Sequence, residues 1–222
     1  VNLAELDDAR REALFADAVT LRLARGETAY AAGDSCERVF LVVDGRIKIV
    51  RTSPAGAESI VGLRAPGEIF GEIGWMRAGG VRATSAVAIE TAVVRSLDTA
   101  RFAKRVAADT VIARAFARGL ARRLSALEHE LTELAGKSVP GRLVDLLGRL
   151  AREHGVAEAD GALRIGLALT HQDLADLIGT SRETLTKELG VLADVGLLRV
   201  AHRTVTLVQP QAFPFVHRRD AN

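Results

Sequence analysis

Five leucines, at 120, 124, 127, 131 and 134, recur at spacings of four, three, four and three residues. That spacing is a heptad seam with Arg, Glu and His on its flanks, and it commits "GLARRLSALEHELTELAG" to a helix. A helix from about Asp109 to Ala135 is about 40 Å long at 1.5 Å per residue. A bundle helix also carries such a stripe, but length and regularity favour a dimer seam through Leu120, Leu124, Leu127, Leu131 and Leu134. Gly136 ends the run, and Pro140-Gly141 just beyond it marks a hinge. One long helix thus separates two differently patterned parts, and the expected domains are 1–108, 109–136 and 137–222.

The first part is written in short apolar runs with turn signals between them. "VFLVVDGRIKIVRT" reads as two strands around Asp44-Gly45, whose tolerance of positive φ suits a tight hairpin. "AAGD", "SPAGAES" and "APGE" punctuate the same region, and "VRATSAVAIETAVVRSL" follows. Many short strands at near-regular spacing predict a small barrel or jelly roll.

Composition bounds the partners. Hydrophobic residues at 48% and charged residues at 26% describe an ordinary globular chain with enough apolar matter for separate cores. No apolar run approaches the roughly 18 residues that span a bilayer, and the acidic, amphipathic N-terminus has no signal-peptide layout. A cytoplasmic location without membrane contact is the expectation. The chain opens on Val1, which suggests that an initiator residue precedes it. Cys36 is the sole cysteine, so no internal disulfide can form, and an iron–sulfur cluster normally needs several thiolates. Beside "DSCE", with only Arg38 as a nearby cation, Cys36 reads as structural rather than reactive. All five histidines lie past the roll, which excludes a His-based metal site there. Net charge is +2 and evenly spread, so any basic surface must be local. One local bias stands out: from Val195 to Arg219 there is no acidic residue, but there are Arg199, Arg203, Arg218, Arg219 and two histidines.

The last part carries the sharpest motif. In "LTHQDLADLIGTSRETLTKELGVLADVGLL", Thr170 and Asp173 stand in capping-box spacing. A two-turn helix with Leu174, Leu177 and Ile178 inward would stop at Gly179. Ser181 can cap a second helix with Leu185 and Leu189 inward. Helix, glycine turn, helix is the helix-turn-helix layout. Its second helix would present Arg182, Glu183, Thr184, Thr186 and Lys187. Arg or Lys can donate to guanine O6 and N7, and Glu can accept from cytosine N4. "LLRVAHRTVTLV" follows as a hairpin wing whose Arg199, His202 and Arg203 can lie along phosphates. The residues expected to meet double-stranded DNA are Thr170, Gln172, Ser181, Arg182, Glu183, Thr184, Lys187 and Arg203.

These residues resemble the winged helix of the cAMP receptor protein / fumarate-nitrate regulator (CRP/FNR) family of bacterial transcription factors, and "TSRETLTKEL" is similar to the recognition helix of its cAMP receptor subgroup. The resemblance covers nearly the whole chain. It implies an α+β fold: an N-terminal cyclic-nucleotide-binding-type β-roll (jelly roll), a long dimerisation helix and a C-terminal winged helix-turn-helix. It also implies a homodimer that reads a TGTGA-like palindrome through Arg182, Glu183 and Lys187, with contact to RNA polymerase in activation and occlusion in repression both open. Lys187 stands where the subgroup usually has Arg and lacks the bidentate fork, so readout there would be looser.

The glycine-rich "GEIGWMRAGGVRAT" can hold a phosphate, which in a roll needs backbone N–H donors and one fixed cation. Gly71 lets the backbone come close, Arg82 supplies the charge, and Glu72 can accept from a ribose hydroxyl. Gly71, Glu72, Arg82, Ala83 and Thr84 match the family's phosphate cassette, although Ala83 stands where cAMP-responsive members often have Ser. The resemblance extends the site to Arg123, Leu127 and Glu128 on the dimer helix. Leu127 and Glu128 replace a Thr-Ser pair: Leu127 cannot hydrogen-bond a base, while Glu128 can accept from an amine or lie solvated on the flank. The implied effector is cAMP or another cyclic nucleotide, with another anion or no ligand as the alternatives. The fumarate-nitrate branch's cysteine cluster is absent. The roll half has no His and only Cys36, which argues against an enzyme, and the reading helix and wing argue against the alternative of a regulatory subunit without DNA binding.

Overall fold

The computed structural model describes residues 2, 3, 5–53, 56, 58–76, 80–201 and 203–216, with backbone alone over 129–135. The chain divides into two compact units, Val1–His129 and Glu130–Asn222.

The first unit starts with α1 (Asp8–Leu14), which Asp7 caps by accepting from the Arg10 amide at 2.7 Å. Strands β1 (Val19–Leu23), β2 (Thr28–Tyr30), β3 (Arg38–Asp44), β4 (Ile47–Thr52), β5 (Glu58–Arg64) and β6 (Ile69–Phe70) follow. The short helix α2 (Glu72–Met76) then precedes β7 (Ser85–Ala88) and β8 (Ala92–Asp98). All eight strands form two antiparallel sheets, in the orders β1-β8-β3-β6 and β2-β7-β4-β5. The core holds Phe40 stacked on Phe70 with centroids 5.0 Å apart, and Tyr30 lies against both rings. This is the expected roll.

The expected hairpin at Asp44-Gly45 is corrected. β3 and β4 belong to different sheets, so the turn carries the chain across the core instead of pairing its flanks. Gly45 is required there on two counts. Its φ is +71°, and a Cβ would lie 2.3 Å from the Thr91 carbonyl oxygen.

Helices α3 (Thr99–Ala108) and α4 (Thr110–Gly136) complete the unit's second core. Asp109 separates them, its carboxylate accepting from the Val111 amide at 2.8 Å. Phe15, Phe102, Phe116 and Trp75 cluster there, with Trp75 edge-on to Phe102 at 5.6 Å. α4 therefore buries Ile112, Ala115 and Phe116 against its own chain, and Leu120 packs on the same cluster.

The second unit runs α5 (Val139–His154), β9 (Gly155–Ala157), β10 (Leu163–Ile165), α6 (His171–Ile178), α7 (Arg182–Asp194), β11 (Leu198–Ala201) and β12 (Thr204–Leu207). A single 3₁₀ turn, Pro210–Ala212, follows. Only Lys137 and Ser138 separate α4 from α5, because Pro140 and Gly141 lie in the first turn of α5, where the missing N–H of proline costs nothing. Between α5 and α6 lies the hairpin β9–β10, which extends the wing into a four-stranded sheet of order β11-β12-β10-β9. Leu143, Leu147, Leu174, Leu185 and Leu207 form the buried centre of this unit. Leu177 is only half-buried, and Ala175 takes the inward place beside Leu174 and Ile178.

Candidate functional site

A cavity of about 360 Å³ opens in the roll, floored by Tyr30 and Phe70 and walled by α4. Gly71, Glu72, Arg82, Ala83, Thr84, Arg123 and Leu127 all line it. Glu128, the eighth expected member, is exposed on α4 and is not among the lining residues.

Arg82 is 5% exposed. Its Nη1 donates to the Gly71 carbonyl at 2.5 Å and its Nη2 to the Arg38 carbonyl. Its guanidinium lies 4.2 Å from the centroid of the Tyr30 ring, while its Nε has no acceptor. Among the described residues no carboxylate pairs with it, so a buried cation faces an open cavity. Gly71 does more than admit a ligand. Its φ is +82°, and a Cβ would sit 2.8 Å from Arg82 Nη1, so the glycine makes the guanidinium's seat. Tyr30 hydrogen-bonds Thr84, and burial pushes its phenol pKa up.

Glu72 does not stand free for a ribose hydroxyl. It is 1% exposed, and its Oε1 accepts from Arg123 Nη1 at 3.3 Å. That pair ties α4 to the cassette. Two further arginines line the cavity and escaped the sequence reading: Arg51, which is exposed, and Arg64, which is buried. Leu124 and Leu127 line it too, and both remain substantially exposed, at 59% and 40%. Of the other expected seam residues, Leu120 faces the core of its own unit, and the side chains of Leu131 and Leu134 lie outside the described residues. Cys36 is buried with its Sγ against Gly74, where no Cβ would fit, which leaves the thiol a packing role.

The second unit builds the reading head from local caps. The Thr170 Oγ1 accepts from the Asp173 amide at 3.0 Å, and the Asp173 carboxylate accepts from the Thr170 amide at 2.9 Å. Gly179 ends α6 at φ +65°, and the Ser181 Oγ accepts from the Thr184 amide at 3.2 Å to open α7. Arg142 of α5, which the sequence did not single out, donates to the Ile178 carbonyl at 2.9 Å and fixes the end of α6. Leu185 and Leu189 point inward, which leaves Arg182, Glu183, Thr186 and Lys187 exposed. Among the described residues neither Arg182 nor Lys187 forms an ion pair, although the Arg182 charge acts on the adjacent Glu183. Glu183's own amide and the Ser181 hydroxyl hold its carboxyl below the usual range, so it stays an acceptor at neutral pH.

The hydroxyls are less available than the sequence suggested. Thr170 is spent on Asp173, Ser181 on Thr184, and Thr186 on His171 Nδ1 at 2.9 Å. The Gln172 amide donates to Asp176 at 2.7 Å. The wing also departs from expectation. Arg199 is clamped by Asp160 at 3.1 Å and by Glu158, both from the β9–β10 turn, so its charge is answered within the protein. Hydrogen bonding to Asp160 raises its pKa. Arg203 alone keeps the expected posture, exposed at the tip with φ +70°, while His202 lies outside the described residues.

Residues 20–109 match a cyclic nucleotide-binding domain and residues 141–213 a Crp-like helix-turn-helix domain. The CRP-like cAMP-activated global transcriptional regulator of Mycobacterium tuberculosis is 34% identical over 183 residues, covering 82% of this chain and 81% of its own. The global nitrogen regulator of Synechococcus elongatus is 31% identical over 191 residues, covering 85% of each. The fold is also that of the c-di-GMP responsive global regulator CLP of Xanthomonas campestris, with a TM-score of 0.80 at 24% identity over 90% of this chain and 99% of that one. A capped recognition helix with an outward cationic face, a roll with an arginine-seated cavity and these relatives agree: the chain belongs to the CRP/FNR family of DNA-binding transcription regulators.

Proposed function

We propose that this regulator is a cytoplasmic homodimer whose affinity for a TGTGA-like palindrome is set by a phosphate-bearing effector in the roll. One observation carries the reading: seven of the eight expected effector-site residues line a single cavity, among them a buried Arg82 that has no carboxylate partner among the described residues. The Mycobacterium tuberculosis relative is named for activation by cAMP and the Xanthomonas campestris structure for its response to c-di-GMP, so both nucleotides are candidates. Effector contact with Arg123 and Leu127 would bear directly on α4. Ligand control works only through unequal affinity for two arrangements of that helix. Leu124 and Leu127, exposed and apolar, are the residues a second copy would cover. In the reading head, Arg182 and Lys187 donate to guanines, Glu183 accepts from cytosine, and Arg203 lies along phosphate. Activation through RNA polymerase and repression by occlusion are both compatible with this head, and no catalytic step is assigned.

A ligand-independent reading has one observation in its favour. Arg82 already donates to two backbone carbonyls, so the cassette is partly satisfied without an anion. Fluorescence anisotropy with a TGTGA palindrome and a scrambled duplex, with and without cAMP, cGMP or c-di-GMP, separates the readings. The proposal expects preference for the palindrome that strengthens with one nucleotide. Preference unchanged by all three supports the ligand-independent form, and equal binding of both duplexes removes the assigned readout.

A further inference from the structure

Arg64 ends β5 inside the roll at 6% exposure. Its Nη1 donates to the Leu63 carbonyl at 2.5 Å, and its Nε has no acceptor. Of five guanidinium donors, one is thus seen engaged, and no carboxylate pairs with the group among the described residues. Burial and the nearby Arg123 charge both push its pKa down, whereas the Glu68 and Glu72 carboxylates pull it up. Room for the side chain is built in, since a Cβ at Gly62 would lie 3.0 Å from Arg64 Nη1. A bulge in the β4–β5 pairing breaks the alternation, so that Val61 and Arg64, three residues apart, both line the cavity.

The charges around the cavity are therefore unequal. Glu72 and Arg123 answer one another, and the exposed Arg51 is answered by solvent. That leaves Arg64 and Arg82, two buried cations over one cavity, each with an orphaned Nε. A ligand with one negative charge neutralises only one of them. Leaving the other buried and unpaired is costly.

We propose that Arg64 forms a second anion subsite beside the Arg82 cassette, and that the effector carries two negative charges rather than the one of a cyclic mononucleotide. This rests on the reading of the roll as an effector site. The two charges can come from two phosphodiesters or from one phosphate monoester. A buried donor set recognises either, and the ligands chosen for the test tell them apart.

The test is titration calorimetry of the full-length protein with cAMP, AMP and cyclic di-AMP, which keep adenine constant while charge changes, and with cGMP. Variants are Arg64→Met, Arg64→Lys and Arg82→Ala, each checked for an unchanged thermal melt. Expected is a preference of about ten- to hundredfold for AMP or cyclic di-AMP over cAMP, the worth of one charged hydrogen-bonded contact. Arg64→Met abolishes that preference, costing the preferred dianion about ten- to hundredfold more than it costs cAMP, and Arg64→Lys restores part of it. AMP preferred indicates the monoester, and cyclic di-AMP the paired diesters. Binding of cAMP at least as tight as both dianions overturns the proposal while the effector reading stands. So does an equal loss for every ligand in Arg64→Met. A preference for cGMP over every adenine ligand that vanishes in Arg64→Met also overturns it, because Arg64 then reads a base edge. No heat with any of the four ligands or with c-di-GMP removes the effector reading and the proposal together.

Discussion

The roll and the reading head each hold free cations, and they hold them in opposite ways. Arg64 and Arg82 are buried over glycines and aromatic rings, with few acceptors and no acid paired to them among the described residues. Arg182 and Lys187 stand in solvent on one helix face. A buried pair of guanidiniums selects a small, dehydrated anion of fixed charge, in a medium that salt penetrates poorly. An exposed row meets a polyanion whose counterions it displaces, so its affinity is tied to salt. Arg199 shows what a surface cation looks like when neither task is set: the β9–β10 carboxylates pair with it.

The comparison breaks most visibly if the head's core is damaged. Leu185→Ala empties a fully buried site and is expected to cost about 2–5 kcal/mol, abolishing palindrome binding. Calorimetry on the same variant should still record ligand heat, because the cavity is lined wholly by first-unit residues. Loss of both activities would show that the sites are not separable. Arg82→Ala removes a charged donor and leaves the Gly71 and Arg38 carbonyls without it. Ligand affinity should fall at least about tenfold, at the 1.5–3 kcal/mol of a charged hydrogen bond. Arg182→Ala should weaken the palindrome by about 1–3 kcal/mol and relax selectivity at one base pair, with ligand heat unaltered, as competition with single-base variants would reveal.

Smaller effects sharpen the picture. Thr170→Ala deletes half of the capping box and is expected to lower stability by about 1 kcal/mol, readable in a denaturant melt. Arg203→Gly relieves a positive φ at the wing tip, so stability should hold within about 1 kcal/mol, since glycine's added chain entropy offsets the relief. Its DNA affinity should lose about one unit of salt slope. An unchanged slope would place the tip away from phosphate.

What was legible in the sequence follows the range of the interactions. Thr170 with Asp173, Gly179 and Ser181 with Thr184 lie within a few residues of one another, and the reading head was visible from them. The residues from Gly71 to Thr84 were singled out through the family resemblance instead, and Arg82 meets the Gly71 carbonyl across 11 residues. The missed features depend on distant chain. Arg199 looked free because its acidic partners stand about forty residues earlier, 41 to Glu158 and 39 to Asp160. Arg142 reaches across 36 residues to end α6. Gly45 read as a hairpin residue because nothing local shows that Thr91 crowds it. Arg64 was not singled out, since a bulge changes which side chains face inward and leaves no mark in the residue pattern.

In the proposed regulation, charge in the cavity governs reading by the head. It is tested most directly by the palindrome affinity of wild type and Arg82→Ala, each titrated with cAMP, c-di-GMP and cyclic di-AMP at fixed salt. The predicted result is a shift of about 5–150-fold with one of these ligands in wild type, and no shift in Arg82→Ala at unchanged ligand-free affinity. An equal shift in both proteins, or none in wild type with any of the three, would contradict it.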